Sequence, residues 1–128
     1  MTNGVTYDTG ALIAADRNNR VMWALHAGFL AAGIAPTVPA PVLAEAWRGG
    51  ARQANLARFL ALCNVEPLSE DQAKAVGVLG GKSGHDDIVD ITVAEGAIRR
   101  SDAVITSNPT HITLIADAVK VRLHIKSV

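Results

Sequence analysis

Short β-type runs and helical apolar rhythms take turns along the whole chain. "VTYDT" is a strand-like run closed by Asp8 and Thr9, and "ALIAADR" begins a first helix. "NRVMWALHAGFLAAG" sets Val21, Trp23, Ala24, Ala27, Leu30 and Ala31 at helical spacing and stops at Gly33. "PTVPA" predicts a second strand. "PVLAEAWRGG" opens with proline, as a helix start does, and ends in paired glycines. "RQANLARFLALC" is amphipathic, with Leu56, Phe59, Leu60 and Cys63 on one side. "NVEPL" predicts a third strand, and "SEDQAKAVGVLGG" a helix whose Ser69 and Gln72 form a capping-box pattern. "HDDIVDITVAEG" opens a further helix running to about Arg100, with Asp86, Asp87 and Asp90 in its first turns. "DAVITSN" is a fourth strand, "PTHITLIADAV" a helix and "VRLHIKSV" a last strand.

Such alternation predicts a parallel sheet with helices on both faces, an α/β class of three layers. With 128 residues and no linker, repeat or low-complexity tract, residues 1–128 read as one α/β unit. Hydrophobic residues make up 49% and aromatics 4%, so the expected core is Ala, Val, Ile and Leu. Twelve basic and twelve acidic residues cancel, which argues against holding nucleic acid by bulk charge alone. The lone Cys63 allows no internal disulfide and fits a buried small hydrophobe in a reducing cytoplasm. The amino terminus lacks a basic start followed by a long apolar run, so no export signal is expected. Val21 to Ala44 carries no Asp, Glu, Lys or Arg, but Pro36, Pro39 and Pro41 stop any helix near Ala35. That stretch reads as a buried helix followed by a strand, not a membrane span.

In open parallel sheets, ligands bind beyond the carboxyl ends of the strands, where strand order reverses. Asp8 closes the first strand, and Thr106, Ser107 and Asn108 close the fourth. Either set also suits a helix cap. Glu45 lies four residues past Pro41 between two alanines, and Asp90 lies beside Ile91 and Val93. An acid near a helix start is ordinarily solvated or paired with the helix dipole. Buried acids crowded together stay ionised only with positive charge among them. If Asp8, Glu45 and Asp90 converge, a divalent cation is the simplest compensation, and oxygen ligands suit Mg²⁺ or Mn²⁺.

"YDTGALIAADR", "PAPVLAEAWRGG", "DDIVDITVAEGA" and "AVITSNPTHI", in this order and spacing, resemble a PIN domain. More narrowly, they resemble the VapC-type toxins of bacterial, especially actinobacterial, toxin–antitoxin pairs. The resemblance covers nearly the whole chain. It implies an α/β/α sandwich whose acidic cluster binds Mg²⁺ or Mn²⁺ and cleaves RNA, and a toxin that meets a cognate antitoxin and dimerises. The family's first three acids match Asp8, Glu45 and Asp90, the implied catalytic and metal-binding residues. The fourth, usually an aspartate after a Thr-Ser pair, matches Asn108, which can ligate through its carbonyl oxygen but removes one negative charge. Thr106 and Ser107 stand beside it as assisting residues. Asp87, one helical turn before Asp90, reads first as a cap and second as an assistant.

The implied chemistry is phosphodiester hydrolysis, for which a carboxylate-held ion polarises the phosphate and lowers the pKa of the attacking water. Arg17, Arg48 and Arg52 follow closely after Asp8 and Glu45. They read as solvated charges, as RNA contacts, or as landing points for a partner's acidic segment. "GVLGGKSG" misses the spacing of a phosphate-cradling loop by one residue, with Val76 where glycine is required and Gly77 instead, and reads as a flexible turn leading into the acidic helix. His26, His85, His111 and His124 show no zinc spacing and read as packing or surface residues, with His85, beside the acids, a candidate for substrate contact. A phosphoaccepting receiver domain fits poorly, since "YDTG" lacks the paired acid. The competing class is a PIN-like module that binds RNA or protein without cutting, favoured by Asn108 and the zero net charge and opposed by the other three acids.

Overall fold

In the computed structural model, which describes residues 4–128, five parallel strands form one sheet in the order β3-β2-β1-β4-β5. The strands are β1 (Gly4–Tyr7), β2 (Thr37–Pro39), β3 (Asn64–Glu66), β4 (Asp102–Thr106) and β5 (Ile125–Ser127). β1 lies beside β4 along its whole length, from Gly4 opposite Asp102 to Tyr7 opposite Ile105. Successive connections lead outward from β1 through β2 to β3, and from β4 to β5 on the other side. The reversal therefore falls between β1 and β4.

Among the described residues, seven helices cover the sheet: α1 (Thr9–Asp16), α2 (Arg20–Ala31), α3 (Ala40–Ala46), α4 (Ala54–Leu60), α5 (Glu70–Ser83), α6 (Ile88–Arg100) and α7 (Pro109–Asp117). Leu12, Ala15, Met22, Leu56 and Phe59 from α1, α2 and α4 bury themselves around Tyr7. Val76, Leu79, Ile91, Ala94 and Ile115 form a second cluster among α5, α6 and α7. The short α3 packs against both α1 and α6. Strands with both faces covered are expected to read as apolar runs, as Val104 and Ile105 do. The predicted three-layer α/β sandwich with a parallel sheet is the observed one.

Three local expectations give way. The "GVLGGKSG" segment is no turn: α5 continues to Ser83 and ends at Gly84, which takes the left-handed conformation at φ 68°. Gly80 permits this, because a Cβ there would sit 3.1 Å from Ile91 Cδ1, so its absence lets α5 approach α6 closely. The second correction concerns α2, which is not a buried helix. Val21 is 62% exposed and Ala24, Ala27 and Ala31 face outward, whereas Met22 and His26 are buried. Aromatic packing decides the inward face, with the His26 ring stacked on Phe59 at 3.9 Å and its Nδ1 within 2.9 Å of the Tyr7 hydroxyl. Large rings there bury more area than the alanines that set the apparent rhythm. Third, Asp86 precedes α6, because Asp87 is the cap, accepting the Asp90 N–H at 3.1 Å.

Candidate active site

The carboxyl ends of β1 and β4 meet where strand order reverses. Asp8 follows β1 directly and caps α1, its Oδ1 accepting the Thr9 N–H at 2.7 Å. Its Oδ2 accepts a 2.6 Å hydrogen bond from the hydroxyl of Thr106, the last residue of β4. Thr9 then donates its own hydroxyl to Glu45 Oε1 at 2.6 Å, tying α1 to α3. Asp90 enters from the first turn of α6 and is buried. Asn108 caps α7 by backbone position only; its side chain makes no capping bond, and Pro109 fills the first helical position.

A cavity of about 260 Å³ opens between these residues. Asp8, Glu45, Asp87, Asp90, Ser107 and Asn108 all line it, together with Thr9, Gly10, Ile13 and His111. Sequence-predicted acids from the end of β1, from α3 and from the start of α6 therefore reach one hollow, with Thr106 buried behind Asp8. Gly10 keeps that hollow open on one side. A Cβ at this position would collide with the side chain of Ser107 and stand 2.9 Å from its backbone nitrogen.

The three main carboxylates are not drawn into a tight group. Like charges repel, and each is held by its own partner instead: Asp8 by Thr9 and Thr106, Glu45 by Thr9, Asp90 by two histidines. His85 Nε2 lies 3.0 Å and His111 Nδ1 3.2 Å from the same Asp90 oxygen, Oδ2. Neither contact was legible in the sequence, because the histidines stand five and twenty-one residues from Asp90. Gln53 was also missed. Its Oε1 accepts the N–H groups of Arg48 and Gly49 at 2.6 and 2.9 Å, and its Nε2 reaches Ala46 O at 2.9 Å. That side chain fixes the loop leaving α3, and with it the helix that carries Glu45.

Burial pushes the Asp8 carboxyl above its ordinary range. Hydrogen bonds from Thr106 and Thr9 pull it back, and the charges of Asp90 and Glu45 add to the rise. No Lys or Arg is among the residues lining the cavity. A buried acid crowded by acids, with oxygen donors converging on one hollow, fits a hard divalent cation such as Mg²⁺ or Mn²⁺. Asp8, Glu45, Asp90 and the Asn108 carbonyl are the available donors.

The arginines divide. Arg17 lines an adjoining hollow that shares Gly10, Ile13 and Ser107 with the acidic cavity. Arg48 turns back on α3, donating to Ala44 O at 3.2 Å and Trp47 O at 2.8 Å. Arg52 is exposed on a single 3₁₀ turn, Ala51–Gln53.

No protein-family model and no curated relative matches the chain. Among solved structures, VapBC2 from Rickettsia felis, crystallised bound to a DNA fragment from their promoter, is similar in fold. The TM-score is 0.69 at 17% identity, over 96% of this chain and 97% of that one. The chain has a PIN-like fold. In open α/β sheets a reversal such as that between β1 and β4 is the expected ligand position, and the acids line a cavity there. Among the described residues, no helix is long and apolar enough to cross a membrane.

Proposed function

We propose that this chain is a divalent-metal-dependent endoribonuclease, the VapC-type toxin of a bacterial toxin–antitoxin pair. The observation that carries the reading is the meeting of Asp8, Glu45, Asp90 and Asn108 around one cavity at the strand-order reversal. The fold shared with VapBC2 supports it. Asp8, Glu45 and Asp90 hold the ion, Mg²⁺ or Mn²⁺, with the Asn108 carbonyl as a further donor. Bound there, the ion supplies charge neutralisation at the phosphate and an acidified water. Thr106 positions Asp8 through its hydroxyl, and Thr9 positions Glu45. Asp87 acts as the cap that orients the first turn of α6 beneath Asp90. Ser107 and Gly10 shape the wall against which the substrate lies.

RNA is the substrate on this reading, with Arg17 the best-placed arginine for a phosphate beside the cavity. The protein partner is a cognate antitoxin, the chain acts as a homodimer, and the pair works in the cytoplasm. The second reading is a PIN-like module that binds RNA or protein without cutting. Asn108 favours it, because the amide leaves the cavity one negative charge poorer than an aspartate would.

The test uses one mixed RNA pool, Mg²⁺ titrated, and three proteins. Wild type is expected to cleave, Asp90→Asn to be inactive with its fold intact, and Asn108→Asp to tighten Mg²⁺ and preserve or raise the rate. Equal cleavage by wild type and Asp90→Asn overturns the nuclease reading. A silent wild type that still binds RNA hands the case to the binding module.

A further inference from the structure

We propose that His85, Asp90 and His111 form a second metal site, selective for a borderline transition ion such as Zn²⁺. Among the described residues, this is the group of three metal-ligating side chains whose donor atoms all lie within 4.8 Å of one another. Three elements bring them together. His85 sits in the linker between α5 and α6, just after Gly84, with its backbone N–H held by Ser83 Oγ at 3.3 Å. Asp90 stands in the first turn of α6 and His111 in the first turn of α7.

The spacing is that of a coordination polyhedron. A tetrahedral Zn²⁺ with ligands at about 2.0–2.1 Å places neighbouring donors roughly 3.3 Å apart. The two histidine nitrogens stand 3.0 and 3.2 Å from Asp90 Oδ2, so small movements admit an ion at their centre. The rings are tilted 59° to one another with centroids 5.3 Å apart, so they approach the carboxylate from separate directions. Imidazole nitrogen suits Zn²⁺, Co²⁺ and Ni²⁺, whereas Mg²⁺ prefers oxygen. The His111 side chain is 51% exposed, which leaves an entry path and room for a water as fourth ligand.

The site shares Asp90 and His111 with the acidic cavity and uses none of its other carboxylates. An ion held by the histidines takes Asp90 Oδ2 for itself. With Oδ2 taken and two positive charges added beside it, Zn²⁺ weakens the hold on any ion that needs Asp90 together with Asp8, a consequence that rests on the nuclease reading, while the binding does not.

The test measures binding first. Metal-free wild type titrated with Co²⁺ is expected to develop the intense visible absorption of a four-coordinate nitrogen–oxygen site at one equivalent, discharged by Zn²⁺. His85→Gln and His111→Gln are each expected to bind Co²⁺ at least about tenfold more weakly, since even outer-shell partners contribute that much. Asp8→Asn is expected to bind as wild type does. Melting curves confirm that each variant folds. As a check independent of variants, Zn²⁺ is expected to shift the ring-nitrogen resonances of His85 and His111 in wild type and leave those of His26 and His124 in place. Unchanged Co²⁺ affinity in both histidine variants, or equal loss in Asp8→Asn, overturns the site. Unmoved His85 and His111 resonances under saturating Zn²⁺ do the same. If Zn²⁺ binds as stated yet leaves Mg²⁺-dependent cleavage untouched, the site stands and the shared role of Asp90 in cleavage falls.

Discussion

Thr106 Oγ1 donates to Asp8 Oδ2 at 2.6 Å, joining the carboxyl end of β4 to the residue that closes β1. Both residues are buried, and Thr106 Oγ1 also accepts the Asn108 N–H at 2.9 Å. One hydroxyl thus fixes an acid of the cavity and the start of the loop into α7. Thr106→Val keeps the shape and removes the bond. A hydrogen bond to a charged group contributes about 1.5–3 kcal/mol, and urea unfolding is expected to register a loss of that order. Thr106→Ser is expected to recover most of it.

Metal binding is expected to appear as stability. An ion that binds the folded chain alone adds about 2.7 kcal/mol at a hundredfold excess over its Kd. For a chain of 128 residues that corresponds to a Tm rise of roughly 8–12 °C. Mg²⁺ is expected to raise Tm of the wild type, chelator to reverse the rise, and Asp8→Asn to show none. A wild-type Tm indifferent to Mg²⁺ and Mn²⁺ at every concentration would falsify the acidic cavity as a cation site.

His26 makes the fold acid-sensitive. Its burial lowers the imidazole pKa below the ordinary value of 6.5, with a backbone hydrogen bond to Phe59 offsetting part of the effect. The folded state therefore binds fewer protons than the unfolded chain once pH drops below 6.5, and stability falls from there toward the lowered folded pKa. Above 6.5 this contribution is complete. His26→Gln carries no such proton, so the stability gap between wild type and variant is expected to narrow between pH 7.5 and 5. Parallel melting curves across that range would contradict the assignment.

Gly10 is expected to tolerate no side chain. Gly10→Ala drives a methyl group into Ser107, and overpacking of this kind costs about 1–3 kcal/mol. Ser107→Gly removes the colliding side chain and leaves the 2.9 Å approach to the backbone nitrogen. The double variant is expected to melt above Gly10→Ala alone, a non-additivity that scanning calorimetry resolves.

Strand–helix alternation made the architecture legible, and strand ends made Asp8 and Thr106 stand out. The cap at Asp87 was visible in the run of acids. Glycine misled where it served packing: the α5 segment looks like a turn until the approach of Ile91 to Gly80 is known. Alanine misled likewise, since its methyl fits either face of α2, and only the rings of Tyr7, Phe59 and His26 say which is inward. The histidine pair at Asp90 depends on how the linker before α6 and the start of α7 fold back together, information carried by no local spacing.

Arg100 folds its guanidinium back against Gly96 of its own helix, where a Cβ would stand 2.7 Å from Nη2 and push the guanidinium aside. Its guanidinium meets Asp102 Oδ2 at 2.9 Å, Thr6 Oγ1 at 2.9 Å and Glu66 Oε2 at 2.8 Å, while Thr6 donates to Asp102 at 2.8 Å. This anchor grips the trailing end of α6; Asp90 rides on the leading end, about 15 Å away along the helix. The helix behaves as a strut bolted at one edge of the sheet that presents a carboxylate at the other. A genetic screen for silenced variants is accordingly expected to return lesions at Gly96, Arg100 and Asp102, all outside the cavity lining, in chains whose acids are every one intact.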